Sequence, residues 1–293
     1  MNLKIIVTII TITYFAAICF YGSVYAQDIR TMRVVYKIPN MQNVQVQHGV
    51  KYSTFNDTDL AMDIYYPPNL KSDTMLPVVI FVFGYSDSVN QKDIGSKLKD
   101  IGQYISWAEL IAASGMIAIT YETQQPGSDI DKLLKYIRQE AVSLKINGNK
   151  IGIWSCSANV PTALSVLMNE RKEYFKCAVL YYGLMLTPDK KHYTTIDTLS
   201  KKLNYSTEGL ENIKYFHEDL PIFIVRAGLE NTPLLNQTID YFVTNAVSHN
   251  APIVFVNYAE GNHAFDVRDN NEKSRRIIKQ TIDFMKFHLL FHE

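Results

Sequence analysis

The chain has 293 residues, 47% of them hydrophobic and 20% charged, with Lys+Arg and Asp+Glu equal at 29 each. Such a composition fills a large core and excludes a disordered chain, and the zero formal charge leaves no overall field to recruit nucleic acid or an anionic membrane. Three cysteines are too few for a disulfide framework, so the core must hold itself together.

Lys4 gives a short basic start, Ile5 to Phe20 is an uncharged apolar run, and Val24-Tyr25-Ala26 ends it with a small residue before Gln27. This is the pattern of a cleaved signal peptide over 1–26, which places the mature protein in the periplasm or outside the cell. The alternative is an uncleaved anchor, since the run approaches spanning length. Lipid attachment at Cys19 is disfavoured by the bulky Ile18 before it.

From residue 27 to 293 the chain shows no repeat, low-complexity segment or long linker, and reads as one domain. Val44 to Tyr52 and Leu60 to Tyr66 are extended segments around the turn-forming Asn56-Asp57-Thr58-Asp59, and Pro67-Pro68 stops the second. They predict an antiparallel hairpin at a sheet edge. Pro77 to Phe83 is an unbroken apolar run ending at Gly84, as expected of a strand covered on both faces. Similar runs recur at Met116 to Thr120, Lys150 to Trp154, Ala178 to Tyr181, Ile222 to Ala227 and Ile253 to Tyr258.

Helical patterns lie between most of them: Trp107 to Ala113, Ile130 to Leu144, Ala158 to Met168, Leu234 to Ser248 and Ser274 to Leu290. Ser128 with Asp131 three residues on reads as the N-cap of the second helix. Alternation of this kind requires right-handed crossovers and predicts an α/β three-layer sandwich on a mostly parallel sheet, with function at the carboxyl ends of the strands. Leu184 to Glu218 interrupts the rhythm with a long polar stretch, either a small lid over that end of the sheet or a solvated connection.

The segment from Lys150 to Ala163 runs a buried strand into Ser155-Cys156-Ser157-Ala158-Asn159 and then a helix. A nucleophile elbow has this form, with small residues two before and two after a serine held at strained backbone angles. Ser155 and Asn159 occupy those places here, and the same residues also suit an ordinary helix N-cap.

An elbow serine needs an acid after a later strand and a histidine after the last one, in that order. Glu230 follows the strand ending at Ala227, and His263 follows the strand ending at Tyr258. The other six of the seven histidines lie before the sheet, beside the polar stretch, at a helix end or in the tail. Ser157 is thus the candidate nucleophile, His263 the base and Glu230 the acid that orients it. Main-chain N–H groups of Tyr85, or alternatively Ser86, and of Ala158 are the candidate oxyanion donors, with Gly84 letting the backbone turn inward.

Arg226-Ala227-Gly228-Leu229-Glu230-Asn231 with Leu235-Asn236, and Gly261-Asn262-His263-Ala264-Phe265-Asp266, make the mature chain similar to the α/β-hydrolase superfamily. Within it the chain resembles the dienelactone-hydrolase-like and esterase/lipase-like branch. The resemblance implies the same triad of Ser157, Glu230 and His263 and an ester-cleaving activity. This chain differs in three places: the elbow lacks both glycines, the acid is Glu230 rather than Asp, and Phe83 stands where a histidine is usual. Some relatives use cysteine, but Cys156 as nucleophile would put Trp154 at the small position before it.

The sequence has no clustered Cys/His ligands and no glycine-rich phosphate loop, so neither metal nor organic cofactor is expected. The expected partner is a small ester, with no nucleic acid, no membrane contact beyond the signal segment and no reading of oligomeric state. A peptidase or amidase on the same fold, and a catalytically silent binding protein, are the rival readings.

Overall fold

The computed structural model describes residues 28–71, 73–168, 173–203 and 219–291. The predicted signal peptide, and the part of the predicted lid from 204 to 218, lie outside the described residues. Eight strands form one sheet: β1 Gln45–Phe55, β2 Thr58–Tyr66, β3 Leu76–Phe81, β4 Ile117–Tyr121, β5 Ile146–Cys156, β6 Phe175–Tyr181, β7 Ile222–Ala227 and β8 Ile253–Tyr258. Their spatial order is β1-β2-β4-β3-β5-β6-β7-β8. The first pair is the predicted edge hairpin, turning at Asn56 (φ 45°) and Asp57 (φ 61°), two residues that tolerate the left-handed region a tight hairpin demands. β2 joins β4 antiparallel, and β4, β3, β5, β6, β7 and β8 are mutually parallel.

Eight helices connect or flank the strands: α1 Asp87–Ile94, α2 Gly102–Ala113, α3 Pro126–Gln139, α4 Val160–Met168, α5 Lys190–Leu203, α6 Leu235–Ser248, α7 Phe265–Arg268 and α8 Glu272–Lys286, counted among the described residues. Consecutive residues of β4 and of the inner strands are buried, so both faces of the sheet are covered and the sandwich has three layers. α8 shows why such helices form: Ile277, Ile278, Thr281, Ile282 and Met285 share one buried face, and the Asn271 side chain accepts the Ser274 N–H at its start (2.9 Å). No helix among the described residues is long and apolar enough to cross a membrane.

Two local expectations are corrected. α3 begins at Pro126, so Ser128 lies inside its first turn and does not cap it with Asp131. Asp129 does the work instead: one buried oxygen accepts the N–H groups of Gln124 and Gln125 (2.9 and 2.8 Å) and the Thr123 hydroxyl (3.0 Å). The segment after Ser157 opens with a single 3-10 turn, Ser157–Asn159, before α4 starts at Val160. Within the predicted lid, Leu184 to Thr187 are buried and 190–203 form α5, two features that the polar composition of the stretch did not reveal.

The centre of the sheet is aromatic. Trp154 of β5 lies 5.1 Å from Phe81, 5.1 Å from Trp107 of α2 and 5.7 Å from Tyr181, measured between ring centroids. Trp154→Ala empties the middle of this cluster and should destabilise the protein by about 3–5 kcal/mol in urea unfolding. Trp154→Phe should cost much less, because a ring remains and the indole N–H makes no hydrogen bond.

Candidate active site

Ser157 leaves the end of β5 with φ 56°, a left-handed conformation that costs a residue with a side chain of the order of 1–3 kcal/mol. Its surroundings leave it little alternative. A Cβ on Gly84, just past β3, would stand 2.7 Å from the Ala158 carbonyl oxygen and 2.9 Å from Asn159 Cα. One on Gly183, just past β6, would stand 2.7 Å from the Ser157 carbonyl oxygen and 2.2 Å from Val160 Cγ2. The glycines that permit the crowded turn belong to the neighbouring strands.

The two residues that replace the elbow glycines are tied into this packing. Ser155 Oγ donates to the Val82 carbonyl (3.1 Å). Asn159 Oδ1 accepts the Gly84 N–H (2.7 Å), while its Nδ2 donates to the Tyr104 hydroxyl (2.8 Å). Both buried side chains therefore bind the turn at Ser157 to the segment that follows β3, and Asn159 binds it to α2 as well.

Glu230 and His263 arrive from two loops that are laced together. Gly228 N–H donates to Tyr258 O (2.7 Å) and Leu229 N–H to Gly261 O (2.9 Å). A Cβ on Gly228 would stand 2.1 Å from the Ala259 carbonyl oxygen. Beyond His263, Ala264 takes φ 60° and α7 begins; before it, Asn262 is clamped by Asp269 through its N–H and its amide, each at 2.9 Å.

The three predicted side chains meet. Ser157 Oγ lies 2.9 Å from His263 Nε2, and His263 Nδ1 is hydrogen bonded to Glu230 Oε2. The second Glu230 oxygen accepts the Thr232 N–H (2.6 Å), so both are used. Burial opposes charge on this carboxyl, whose side chain is 2% exposed, but the hydrogen bonds from His263 and Thr232 outweigh it and hold its pKa down at about 2. The histidine is 30% exposed, open to solvent and reactants on one side.

Ala158 follows Ser157, and Tyr85 follows Gly84, which touches Ala158. The predicted pair of main-chain donors thus comes from two segments in van der Waals contact. Cys156 is buried, its thiol 3.6 Å from the Tyr104 hydroxyl, and burial pushes its pKa up to about 12. A thiol so held is protonated at neutral pH and makes a poor nucleophile. Among the described residues no group of three or more His, Cys, Asp or Glu side chains is arranged to hold a metal ion.

Sequence reasoning missed the layer behind these three side chains. The Tyr182 ring packs 4.9 Å from the His263 ring, and its hydroxyl bonds to the buried Asp266. The signals were present in the sequence as Tyr181-Tyr182-Gly183 at a strand end and as an acid three residues after the histidine.

Two outcomes follow. Asn159→Gly, which restores the usual elbow glycine, should destabilise the protein in urea unfolding, by about 1–3 kcal/mol for each buried group left without its partner; a gain in stability would show that the asparagine strains the turn. Because the folded carboxyl of Glu230 titrates below its ordinary value of 4.5, its contribution to stability is complete above that pH and is lost as pH falls toward about 2. Glu230→Gln should therefore lower stability at neutral pH and flatten its decline over that acid range, as read from urea midpoints against pH.

No protein-family model matches the chain, and no curated protein matches it. Solved structures do. An esterase from the Planctomycetes species Thermogutta terrifontis, with propionate bound, superposes with TM-score 0.60 at 18% identity, covering 84% of this chain and 95% of that one. Esterase 2 of the same organism phosphonylated by sarin gives 0.59 at 17%, covering 86% and 98%. MGS-M1, an α/β hydrolase enzyme from a Medee basin deep-sea metagenome library, gives 0.56 at 17%, covering 84% and 98%. With the strand order and the edge hairpin described above, these likenesses show that the chain has the α/β-hydrolase fold.

Proposed function

We propose that the protein is an exported serine hydrolase that cleaves carboxylic esters through an acyl-enzyme. The observation that carries this reading is the continuous hydrogen-bonded path from Ser157 Oγ through the two nitrogens of His263 to the carboxylate of Glu230.

In the first step His263 Nε2 takes the Ser157 hydroxyl proton as Oγ attacks the ester carbonyl carbon, and the carbonyl oxygen becomes an oxyanion. The main-chain N–H groups of Tyr85 and Ala158 are the donors assigned to that charge. Collapse breaks the carbon–oxygen bond to the leaving alcohol, which receives the proton from the imidazolium. Water, deprotonated by His263, then attacks the acyl-serine; the carbon–Oγ bond breaks, Ser157 Oγ takes the proton back from the imidazolium, and the acid is released. Glu230, ionised far below neutral pH, keeps the Nδ1 proton on the far side of the ring and balances the imidazolium that forms in each step. Nothing in these steps calls for a metal or organic cofactor.

Export rests on the signal-like run before Gln27. The dienelactone-hydrolase-like and esterase/lipase-like branch is assigned on the Arg226-to-Asn231 and Gly261-to-Asp266 segments. The neighbouring esterase structure with propionate bound favours short acyl groups for this chain too.

The test is labelling with a fluorophosphonate probe together with hydrolysis of p-nitrophenyl esters of increasing chain length, run beside a peptide amide. Ser157→Ala should abolish labelling and lower kcat by a factor of about 10⁴ or more, and Glu230→Gln should lower kcat by about 10²–10⁴. A folded wild-type protein that takes no label would make the site a binding pocket, and preference for the amide would make the protein a peptidase or amidase.

A further inference from the structure

Asp266 is fully buried, and among the described residues its carboxyl accepts from three other side chains, all neutral donors: the Tyr182 hydroxyl, Trp107 Nε1 (2.7 Å) and Gln103 Nε2 (2.8 Å). Gln103 Nε2 also donates to the Tyr182 hydroxyl (2.9 Å). Burial raises the pKa of this carboxyl against the pull of all three donors. A carboxyl placed in the core with no cation beside it is a costly choice where an apolar residue fits. The reaction steps above make no use of it.

Its connections lead to the reacting groups. Asp266 lies in α7, which begins directly after the His263 loop, three residues beyond the histidine. Tyr182, which it holds, stands at φ 33° with its N–H donated to Val225 O (2.7 Å), and its ring lies 4.9 Å from the His263 ring and 5.6 Å from that of Phe265. The next residue is Gly183, whose backbone abuts the Ser157 carbonyl and Val160. One dipeptide thus backs both the histidine and the nucleophile turn. Gln103 and Trp107 fix the carboxyl from behind, both from α2.

We propose that Asp266 is a positioning residue, which holds the Tyr182 ring as a wall behind His263 and so keeps the imidazole within proton-transfer reach of Ser157. The closed path runs from the histidine loop through the Asp266 carboxyl to the Tyr182 hydroxyl, and back through the ring to the imidazole. Glu230 orients the ring through Nδ1; the tyrosine blocks its swing. The proposal rests on the triad reading given above.

The experiment compares Asp266→Asn and Tyr182→Phe in two backgrounds, wild type and His263→Ala, with p-nitrophenyl acetate as substrate. In the wild-type background each should lower kcat by about ten- to a hundredfold, the scale of a misplaced catalytic group, with KM changed by less than about twofold. In the His263→Ala background neither should lower it further. The Nδ1 proton of His263, followed by NMR, should give a downfield signal in the wild type that broadens or vanishes in both variants.

An unchanged kcat, or an equal fall in both backgrounds with an intact Nδ1 signal, would overturn the proposal and leave Asp266 a purely structural core group. Should the wild-type protein hydrolyse no ester, the hydrolase reading falls by itself and the NMR signal alone decides the positioning role. If Asp266→Asn fails to fold, Tyr182→Phe, which keeps the ring and removes only the hydroxyl, decides it.

Discussion

The left-handed backbone at Ser157 is the constraint around which the centre of the molecule is arranged. A cost of about 1–3 kcal/mol at one residue is a sizeable share of a net stability of roughly 5–15 kcal/mol, so the turn persists only because its surroundings over-determine it. They do so from both sides: β3 presses Gly84 against Ala158 and Asn159, and β6 presses Gly183 against Ser157 and Val160. Both strands pair directly with β5, so the sheet register that builds the core also holds Ser157 in place.

The same logic supplies the other two side chains. β7 and β8 run parallel and in register through Ala227 and Tyr258, and the loops that follow exchange main-chain hydrogen bonds before delivering Glu230 and His263. Ser157 and His263 are 106 residues apart in sequence, yet only 2.9 Å separates Oγ from Nε2. Parallel strands all end at one rim, so side chains just past different strands converge without any local sequence relation between them.

This explains what could be read from the sequence and what could not. The apolar run at Ile222–Ala227 coincides with β7, a strand buried along nearly its whole length, and that at Ile253–Tyr258 with β8, a largely exposed edge strand marked by its β-branched and aromatic residues. The order of serine, acid and histidine then identified the residues that meet. Helix starts were less legible: α3 begins four residues earlier than its apolar pattern, since Asp129 closes the turn through three contacts that no capping motif describes. α1 and α5 carry too few apolar positions to stand out, burying only Asp87 and Asn90 in α1 and Ile196 among the described side chains of α5. Asp266 was visible only as the end of the Gly261-to-Asp266 segment and Tyr182 not at all, because the contact between a buried acid and a tyrosine at a strand end exists only once the strands are assembled.

The turn at Ser157, with no glycine two residues before or after the serine, is the most instructive local feature of the chain. A glycine two residues from the nucleophile relieves crowding by removing a side chain from the turn itself. Here the turn keeps its side chains, and the space is found in the segments facing it, at Gly84 and Gly183. Ser155 and Asn159 then turn the close approach into hydrogen bonds to Val82, Gly84 and Tyr104. Crowding depends on the pair of surfaces in contact and not on either alone, so a missing glycine in a motif is uninformative until the facing chain is known.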